Sequence, residues 1–342
     1  MTAPRLPAGR PPDDEATAVT TLPFGRRRTA AWRGALLAAA MAAGLACAQD
    51  KAAAPAAAMP AAPSTAPAAA PAPPIDTLKR IRDSGTILLG VREASVPFSF
   101  FDAQKEPQGY SVDLCLRVAD AIKSDLKLKR LDVRYVPVSS ANRIPALVDG
   151  RIDLECGSTT NTRDRQKQVG FAYTTFVAGI KMLAMKASNV NGIEDLRGKT
   201  VVVTKGTTSE KMLKQLNDER RLKITLIETT DHNESFKAVE DGRAIAFPMD
   251  DVLLYGLISR STKPDDFAVV GKYLSVEPYA IMLRKDEPQL ERVVNRALNE
   301  LFQSGEIRRI YARWFTTREL TVPVSQYLKE AFTVPNTYPA WP

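Results

Sequence analysis

The chain has 342 residues, of which 44% are hydrophobic and 25% are charged, and its formal net charge is +8. This length and composition indicate a soluble globular protein of about two domains, each large enough to bury its own core. The basic excess is compatible with an anionic ligand. Nucleic-acid binding is disfavoured, because no run of Lys and Arg interleaved with aromatic residues follows residue 48.

The N-terminal segment has the pattern of a secretory signal peptide. A cluster of arginines precedes an apolar stretch at residues 34–46, which is too short to span a bilayer as a permanent helix. The small residues on either side of Cys47 fit a cleavage site directly before Gln49. We therefore predict a signal peptide at 1–48 and export to the periplasm, with lipid anchoring at Cys47 as the alternative.

The folded part is expected to begin at residue 76, because the Ala- and Pro-rich residues 49–75 have the composition of a disordered linker. A first unit then alternates helices and strands. These predicted elements are a helix at 77–83, a strand at 86–91, a helix at 110–124, a strand at 131–138, a helix at 143–150 and a strand at 152–156. The alternation implies a parallel sheet with helices on its faces.

The same pattern then restarts in a second unit. Its predicted elements are strands at 200–204, 224–228 and 244–249 and helices at 207–217 and 234–241. Extended runs at 176–185 and 273–284 flank this unit, as expected for strands that cross between two lobes, and an amphipathic helical region at 286–314 follows. We predict an α/β, two-lobed fold with a mostly parallel sheet in each lobe. By residue number, lobe 1 comprises 76–178 and 281–342, and lobe 2 comprises 179–280.

The loops after the lobe 1 strands combine hydroxyl groups with arginines. In open parallel sheets, ligands bind beyond the carboxyl ends of the strands, which here places a site in the cleft between the lobes. The candidate residues of these loops are Arg92, Ser140, Arg143, Ser158, Thr160 and Arg165. Any one such arginine is more often a surface charge, but a guanidinium can grip a carboxylate through two parallel hydrogen bonds. Three arginine-bearing loops therefore predict a ligand with more than one carboxylate.

Lobe 2 offers three further candidates. Thr208 lies at the start of a predicted helix, where a hydroxyl and free backbone N–H groups favour an anion. Asp250 follows a strand and can accept hydrogen bonds from an ammonium group. His232, the single histidine, follows another strand; it is either structural or a donor to a ligand carboxylate.

The cysteines and titratable residues do not form a metal or catalytic motif. Once a leader ending at residue 48 is removed, Cys115 and Cys156 remain, and they are a candidate disulfide pair in an oxidising compartment. Two buried free thiols are the alternative. The absence of a CxxC or Cys/His cluster predicts no metal and no cofactor, and the absence of a nucleophile–base pair predicts no catalytic residues.

Seven short segments of the folded part form a specific set. They are R-E-A-S-V-P-F-S at 92–99, N-R-I-P at 142–145, E-C-G-S-T-T-N at 155–161, G-T-T-S-E at 206–210, D-H at 231–232, M-D-D at 249–251 and M-L-R-K-D at 282–286. Together they resemble the periplasmic glutamate/aspartate-binding proteins of ABC importers, and the resemblance covers about residues 76–335. It implies a type II periplasmic-binding fold that closes on its ligand, a monomer, and the membrane permease subunits of an ABC transporter as partners.

The resemblance also implies a role for each candidate residue. It implies that the ligand α-carboxylate is bound by Arg165, Thr160 and Thr208. The α-ammonium would be bound by Asp250 with oxygens near Ser158 and Thr160. The side-chain carboxylate would be surrounded by Arg92, Ser140, Arg143 and His232. Two alternatives stay open. One is a binding protein for a neutral amino acid. The other is a cyclohexadienyl dehydratase-like enzyme on the same fold, whose candidate acids and bases would be Glu93, Glu155, Asp250 and His232.

Overall fold

The computed structural model describes residues 75–340, so the predicted signal peptide and nearly all of the predicted linker lie outside the described residues. The first elements of the chain are α1 (Thr77–Ser84), β1 (Thr86–Val91), β2 (Ala94–Ser95), β3 (Ser99–Phe101), β4 (Pro107–Gln108), α2 (Tyr110–Asp125), β5 (Asp132–Pro137), α3 (Arg143–Val148), β6 (Leu154–Glu155), α4 (Arg163–Gln166) and β7 (Val169–Phe171). Within this range no helix is both long and apolar enough to cross a membrane.

The middle of the chain contains most of the remaining elements. They are β8 (Phe176–Ala178), β9 (Ile180–Met185), β10 (Thr200–Thr204), α5 (Thr208–Glu219), β11 (Thr225–Thr229), α6 (His232–Glu240), β12 (Ala246–Asp250), α7 (Asp251–Ile258), β13 (Phe267–Val270) and β14 (Glu277–Tyr279). Short 3₁₀ turns occur at Lys186–Ser188, Ile193–Leu196 and Pro264–Asp266. The C-terminal part adds β15 (Met282–Arg284), α8 (Pro288–Ser304), α9 (Glu306–Phe315) and α10 (Gln326–Thr333).

Two five-stranded sheets with the same internal plan organise these elements. The first has the order β5-β1-β6-β15-β7, and the second has the order β11-β10-β12-β9-β13. In each sheet three neighbouring strands are parallel, and a strand from the crossing part of the chain, β15 or β9, pairs with them in antiparallel direction. The edge strand, β7 or β13, is antiparallel to this crossing strand. We call the elements around the first sheet lobe 1 and those around the second lobe 2. The predicted fold class is therefore confirmed, with mixed rather than wholly parallel sheets.

A two-stranded antiparallel ribbon of β8 and β14 connects the lobes, with Phe176 opposite Tyr279 and Ala178 opposite Glu277. An aromatic cluster fastens this ribbon to lobe 1. The ring of Phe98 lies 4.8 Å from that of Phe176 and 5.1 Å from that of Tyr279. Edge-to-face packing at such distances is favourable, so the ribbon and lobe 1 are packed as one hydrophobic unit.

The predicted helical region at 286–314 is two helices rather than one. Gly305 separates α8 from α9 and has φ +74°, a left-handed conformation that glycine adopts at low cost and that ends α8. Both helices bury an apolar face, and α8 packs on α2 in lobe 1.

A disulfide bond joins Cys115 in α2 to Cys156, which directly follows β6. This bond ties α2 to the lobe 1 sheet.

Candidate functional site

A small cavity lies between the two lobes at the carboxyl ends of the parallel strands. Its lining comprises Ser140, Arg143, Ser158, Thr160, Arg165, Thr207, Thr208, His232, Met249 and Asp250. Eight of the nine residues predicted from the sequence thus line one cavity, and Arg92 lies behind them against Ser140. The cavity volume of about 10 Å³ is room for roughly one water molecule. An amino acid therefore fits only when the lobes or side chains move apart.

Two buried guanidinium groups form the lobe 1 wall. Arg92 follows β1 and donates from Nη2 to the Ser140 hydroxyl at 2.7 Å, whereas its Nε and Nη1 have no hydrogen-bond partner among the described residues. Arg143 begins α3, and its Nη1 lies 3.4 Å from the Ser158 carbonyl oxygen and 3.9 Å from a Glu155 carboxylate oxygen. Burial, and then the charge of Arg143, lowers the pKa of Arg92 to about 9. Buried donors without partners are costly, so this wall is suited to an anion.

Arg165 spans the cleft at its rim. The hydroxyl of Thr162 caps α4 and so fixes the short helix that presents Arg165. The guanidinium donates from Nη1 to the Thr160 carbonyl at 2.8 Å and from Nη2 to the Gly206 carbonyl of lobe 2 at 3.1 Å. The pKa of Arg165 is lowered to about 10, mainly because the guanidinium is buried. This arginine therefore contributes both a positive charge and a direct bond between the lobes.

The N-terminus of α5 forms the opposite wall in lobe 2. Thr207 caps the helix by accepting a hydrogen bond from the Glu210 backbone N–H at 3.1 Å, and Thr208 donates to the Glu277 carboxylate at 2.9 Å. Sequence reasoning selected Thr208 but missed Thr207 and Met249 as lining residues. The Gly-Thr-Thr motif before the helix was the available signal for Thr207, whereas an apolar residue such as Met249 gives none.

His232 begins α6 and is buried in the same wall. Its Nδ1 lies 3.0 Å from the Thr204 hydroxyl, and its Nε2 has no hydrogen-bond partner among the described residues. Burial, followed by the charges of Arg92 and Arg143, lowers the pKa of His232 well below its ordinary value of 6.5. The ring is therefore neutral near pH 7. If the Thr204 hydroxyl donates to Nδ1, the ring proton is on Nε2 and is available to a ligand acceptor.

Asp250 provides the acceptor side of the cavity. The Tyr279 hydroxyl donates to one carboxylate oxygen, and the other oxygen is buried without a hydrogen-bond partner in the described part of the chain. Burial, followed by the charge of Glu277, raises the pKa of Asp250 well above its ordinary value of 3.8. A cationic group beside these two carboxylates would relieve the penalty of burying them.

The cavity is therefore surrounded by unpartnered donors from both lobes, namely the guanidiniums of Arg92 and Arg143 in lobe 1 and the neutral imidazole of His232 in lobe 2, and by an unpartnered acceptor at Asp250. Arg165 adds a third guanidinium at the rim. This arrangement complements a small molecule with one ammonium and two carboxylates. Among residues 75–340, no group of three or more His, Cys, Asp or Glu side chains is arranged to hold a metal ion.

Comparisons with known proteins point in the same direction. Residues 87–317 match the family model for bacterial extracellular solute-binding proteins, family 3. An L-glutamate/L-aspartate-binding protein from Pseudomonas aeruginosa is 45% identical over 267 residues, which cover 76% of this chain and 88% of the relative. A glutamate/aspartate import solute-binding protein from Escherichia coli K12 is 41% identical over 266 residues, with the same two coverages.

A solved structure adds the fold-level comparison. It is an ancestral amino acid-binding protein described as a precursor of cyclohexadienyl dehydratase, with a TM-score of 0.60 and 30% identity. The alignment covers 70% of this chain and 99% of that one.

Proposed function

Since the chain belongs to the bacterial extracellular solute-binding proteins of family 3, we propose that it captures glutamate or aspartate between its lobes and delivers it to an ABC amino-acid importer. The observation that carries the proposal is the cluster of buried polar atoms without hydrogen-bond partners around one cavity, with donors from Arg92, Arg143 and His232 facing an acceptor from Asp250. A bound dicarboxylic amino acid would bring an ammonium to the free oxygen of Asp250 and a carboxylate towards the unpartnered donors.

The site suggests how the ligand is oriented. The α-ammonium binds at the free oxygen of Asp250, and the α-carboxylate binds near Arg165 and the N-terminus of α5, where helix N–H groups favour anions. The side-chain carboxylate then lies against Arg92 and Arg143. Charge-assisted hydrogen bonds of this kind are the strong ones, and they are stronger still where water is excluded.

The two rival functions are less well supported by the same residues. A neutral amino acid would present an amide to two buried guanidiniums and leave at least one of them without an anion. For an enzyme, Glu93 is exposed, whereas Glu155 is buried 3.9 Å from Arg143 and Asp250 is buried with a hydrogen bond from Tyr279, so both buried carboxylates already have partners. We therefore propose a binding protein without a catalytic step, acting in the periplasm with the permease subunits of an importer.

The lobe boundaries follow from the same proposal. We infer that residues 76–178 and 281–342 form lobe 1 and that residues 179–280 form lobe 2, with the β8–β14 ribbon as the hinge. The two large sheets share no strand in the described part of the chain, which supports this division.

A thermal-shift screen of the twenty amino acids tests the proposal. A ligand that binds only the folded state raises the melting temperature, by an amount that grows with its concentration over its Kd. We expect large shifts with L-glutamate or L-aspartate and small ones with glutamine and asparagine at the same concentration. An equal shift with glutamine would contradict the acidic-ligand proposal, and a bound ligand recovered chemically changed would contradict the non-enzymatic one.

A further inference from the structure

Glu155 is a fully buried carboxylate directly behind the two guanidiniums of lobe 1. It ends β6, between β1 and β15 in the sheet, where its side chain cannot move far. One carboxylate oxygen accepts a hydrogen bond from the Thr159 hydroxyl at 2.7 Å. The other lies 3.9 Å from Arg143 Nη1 and has no hydrogen-bond partner among residues 75–340.

The backbone at Gly157 makes room for this arrangement. A Cβ atom at that position would lie 2.3 Å from the Glu155 carboxylate oxygen and 2.8 Å from Arg92 Cγ. Any other residue would therefore push the two side chains away. The Glu155 carboxylate and the Arg92 stem therefore both lie against this glycine, and the Nη1 atom of Arg143 in α3 lies 3.9 Å from the carboxylate.

The local charges can be counted. Arg92 and Arg143 contribute two positive charges, Glu155 contributes one negative charge, and His232 is neutral, so the subsite has an excess of one positive charge. The other titratable groups whose charges act on the two arginines are Asp231, Arg165, Asp250 and Tyr279. Asp231 is partly exposed and caps α6, and Arg165 lies at the cavity rim on the α-carboxylate side, so neither is counted in this subsite. Asp250 accepts a hydrogen bond from the Tyr279 hydroxyl and lies on the side of the cavity proposed for the ligand ammonium, so it belongs to a different subsite.

We propose that Glu155 is a specificity-determining residue that acts through Arg92 and Arg143: its charge limits the subsite to one excess positive charge, so that the subsite takes a singly charged carboxylate. The proposal rests on the function proposed above. It adds that the site discriminates in two directions, against a neutral amide and against a doubly charged group such as a phosphonate.

The physical reason lies in how two energies scale with charge. The cost of removing an ion from water grows with the square of its charge, whereas its attraction to a fixed excess charge grows only in proportion to its charge. A subsite with one excess positive charge therefore favours a monoanion. Removal of the Glu155 charge would double the excess and shift this preference towards more highly charged ligands.

The test is a titration of Glu155→Gln by calorimetry with three ligands of similar shape: glutamine, glutamate and 2-amino-4-phosphonobutyrate. The amide of Gln can still accept the Thr159 hydrogen bond, so the main change is the charge. We expect the affinity for glutamine to stay within about threefold, that for glutamate to rise roughly tenfold, and that for the phosphonate dianion to rise roughly a hundredfold. Glu93→Gln, which removes an exposed carboxylate beside Arg92, is the matched control and should leave all three affinities unchanged.

A purely structural role for Glu155 predicts a different result. All three ligands would then lose affinity by a similar factor in Glu155→Gln, and that outcome would overturn the proposal. Wild-type protein gives a second measurement that does not require the variant to fold. Its affinity for the phosphonate should fall as the pH rises through the second ionisation of that group near neutral pH, and a rise would also overturn the proposal. Failure of the wild type to bind glutamate at all would instead refute the proposed function itself.

Discussion

Gly206 allows the two lobes to approach each other, and its replacement by alanine should impair binding without touching a ligand-contacting side chain. In the structure, a Cβ atom at Gly206 would lie 2.6 Å from the Ala141 Cα atom and 2.7 Å from the Ser140 carbonyl oxygen. Both of these atoms belong to the backbone of lobe 1, whereas Gly206 belongs to lobe 2. The clash therefore exists only when the cleft is closed.

The size of the effect can be estimated from two separate contributions. Gly206 has φ +78°, so alanine there is strained in the open and the closed state alike, and this strain of about 1–2 kcal/mol cancels from the binding free energy. The clash does not cancel. Overpacking of this kind costs about 1–3 kcal/mol, and a tenfold change in Kd corresponds to about 1.4 kcal/mol. We therefore expect Gly206→Ala to weaken glutamate binding by about 5- to 150-fold.

Gly198→Ala is the matched control. Gly198 also lies in lobe 2, has φ +68°, and has no atom within 4 Å of the position its Cβ would take. Both variants should lose a similar free energy of unfolding without ligand, as measured by chemical denaturation. Only Gly206→Ala should lose glutamate affinity in calorimetry and remain extended with ligand in small-angle X-ray scattering. Equal glutamate affinity in the two variants would refute the closure argument.

Four further changes have defined outcomes. Arg165→Ala should abolish amino-acid binding in calorimetry, because it removes both the proposed partner of the α-carboxylate and the hydrogen bond to Gly206 of lobe 2; retained binding would contradict this proposed role. Arg143→Ala should weaken the affinity for glutamate by about 10- to 150-fold, which corresponds to the loss of one hydrogen bond between charged groups, and should weaken the affinity for glutamine far less. Closure of the empty cleft buries Asp250 and raises its pKa, so the closed fraction of ligand-free protein in small-angle X-ray scattering should fall as the pH rises from 3.8 through the raised value; Asp250→Asn should lack this fall and also bind more weakly. Replacement of Cys115 and Cys156 by serine should cost about 2–4 kcal/mol of unfolding free energy, and an unchanged stability would argue against the disulfide.

Several elements of the fold could be predicted from the sequence with their bounds. The strands Thr86–Val91 and Thr200–Thr204 occur where predicted, because each is a short run of buried β-branched or leucine residues between turn signals. The run at 176–185 was predicted as one crossing strand, but it divides at Gly179 into β8, which pairs with β14, and β9, which joins the lobe 2 sheet. Local alternation cannot tell which sheet a strand enters, since that depends on distant partners.

The residue types of the site could also be predicted, but their pairings could not. Hydroxyls and arginines after parallel strands indicate a cleft, because strand ends meet at one edge of a sheet. The bond from Arg165 to the Gly206 carbonyl depends on the position of the second lobe, which no local pattern encodes. Glu155 was a candidate acid or base from sequence; only its 3.9 Å separation from Arg143 indicates a charge partner.

The hydrogen bond between Tyr279 and Asp250 links the opening of the cleft to the charge of the amine acceptor. Tyr279 lies in the hinge ribbon, where its ring packs against Phe98 of lobe 1, and Asp250 ends a strand of the lobe 2 sheet. An opening motion that turns the lobe 2 sheet away from this ribbon would lengthen the hydrogen bond and let water reach the Asp250 carboxylate, whose pKa would then return towards 3.8. In an empty, open receptor the Asp250 carboxylate is therefore ionised before the ligand arrives. When the cleft closes, the ligand ammonium already neutralises this carboxylate, so closure does not bury an unpaired charge.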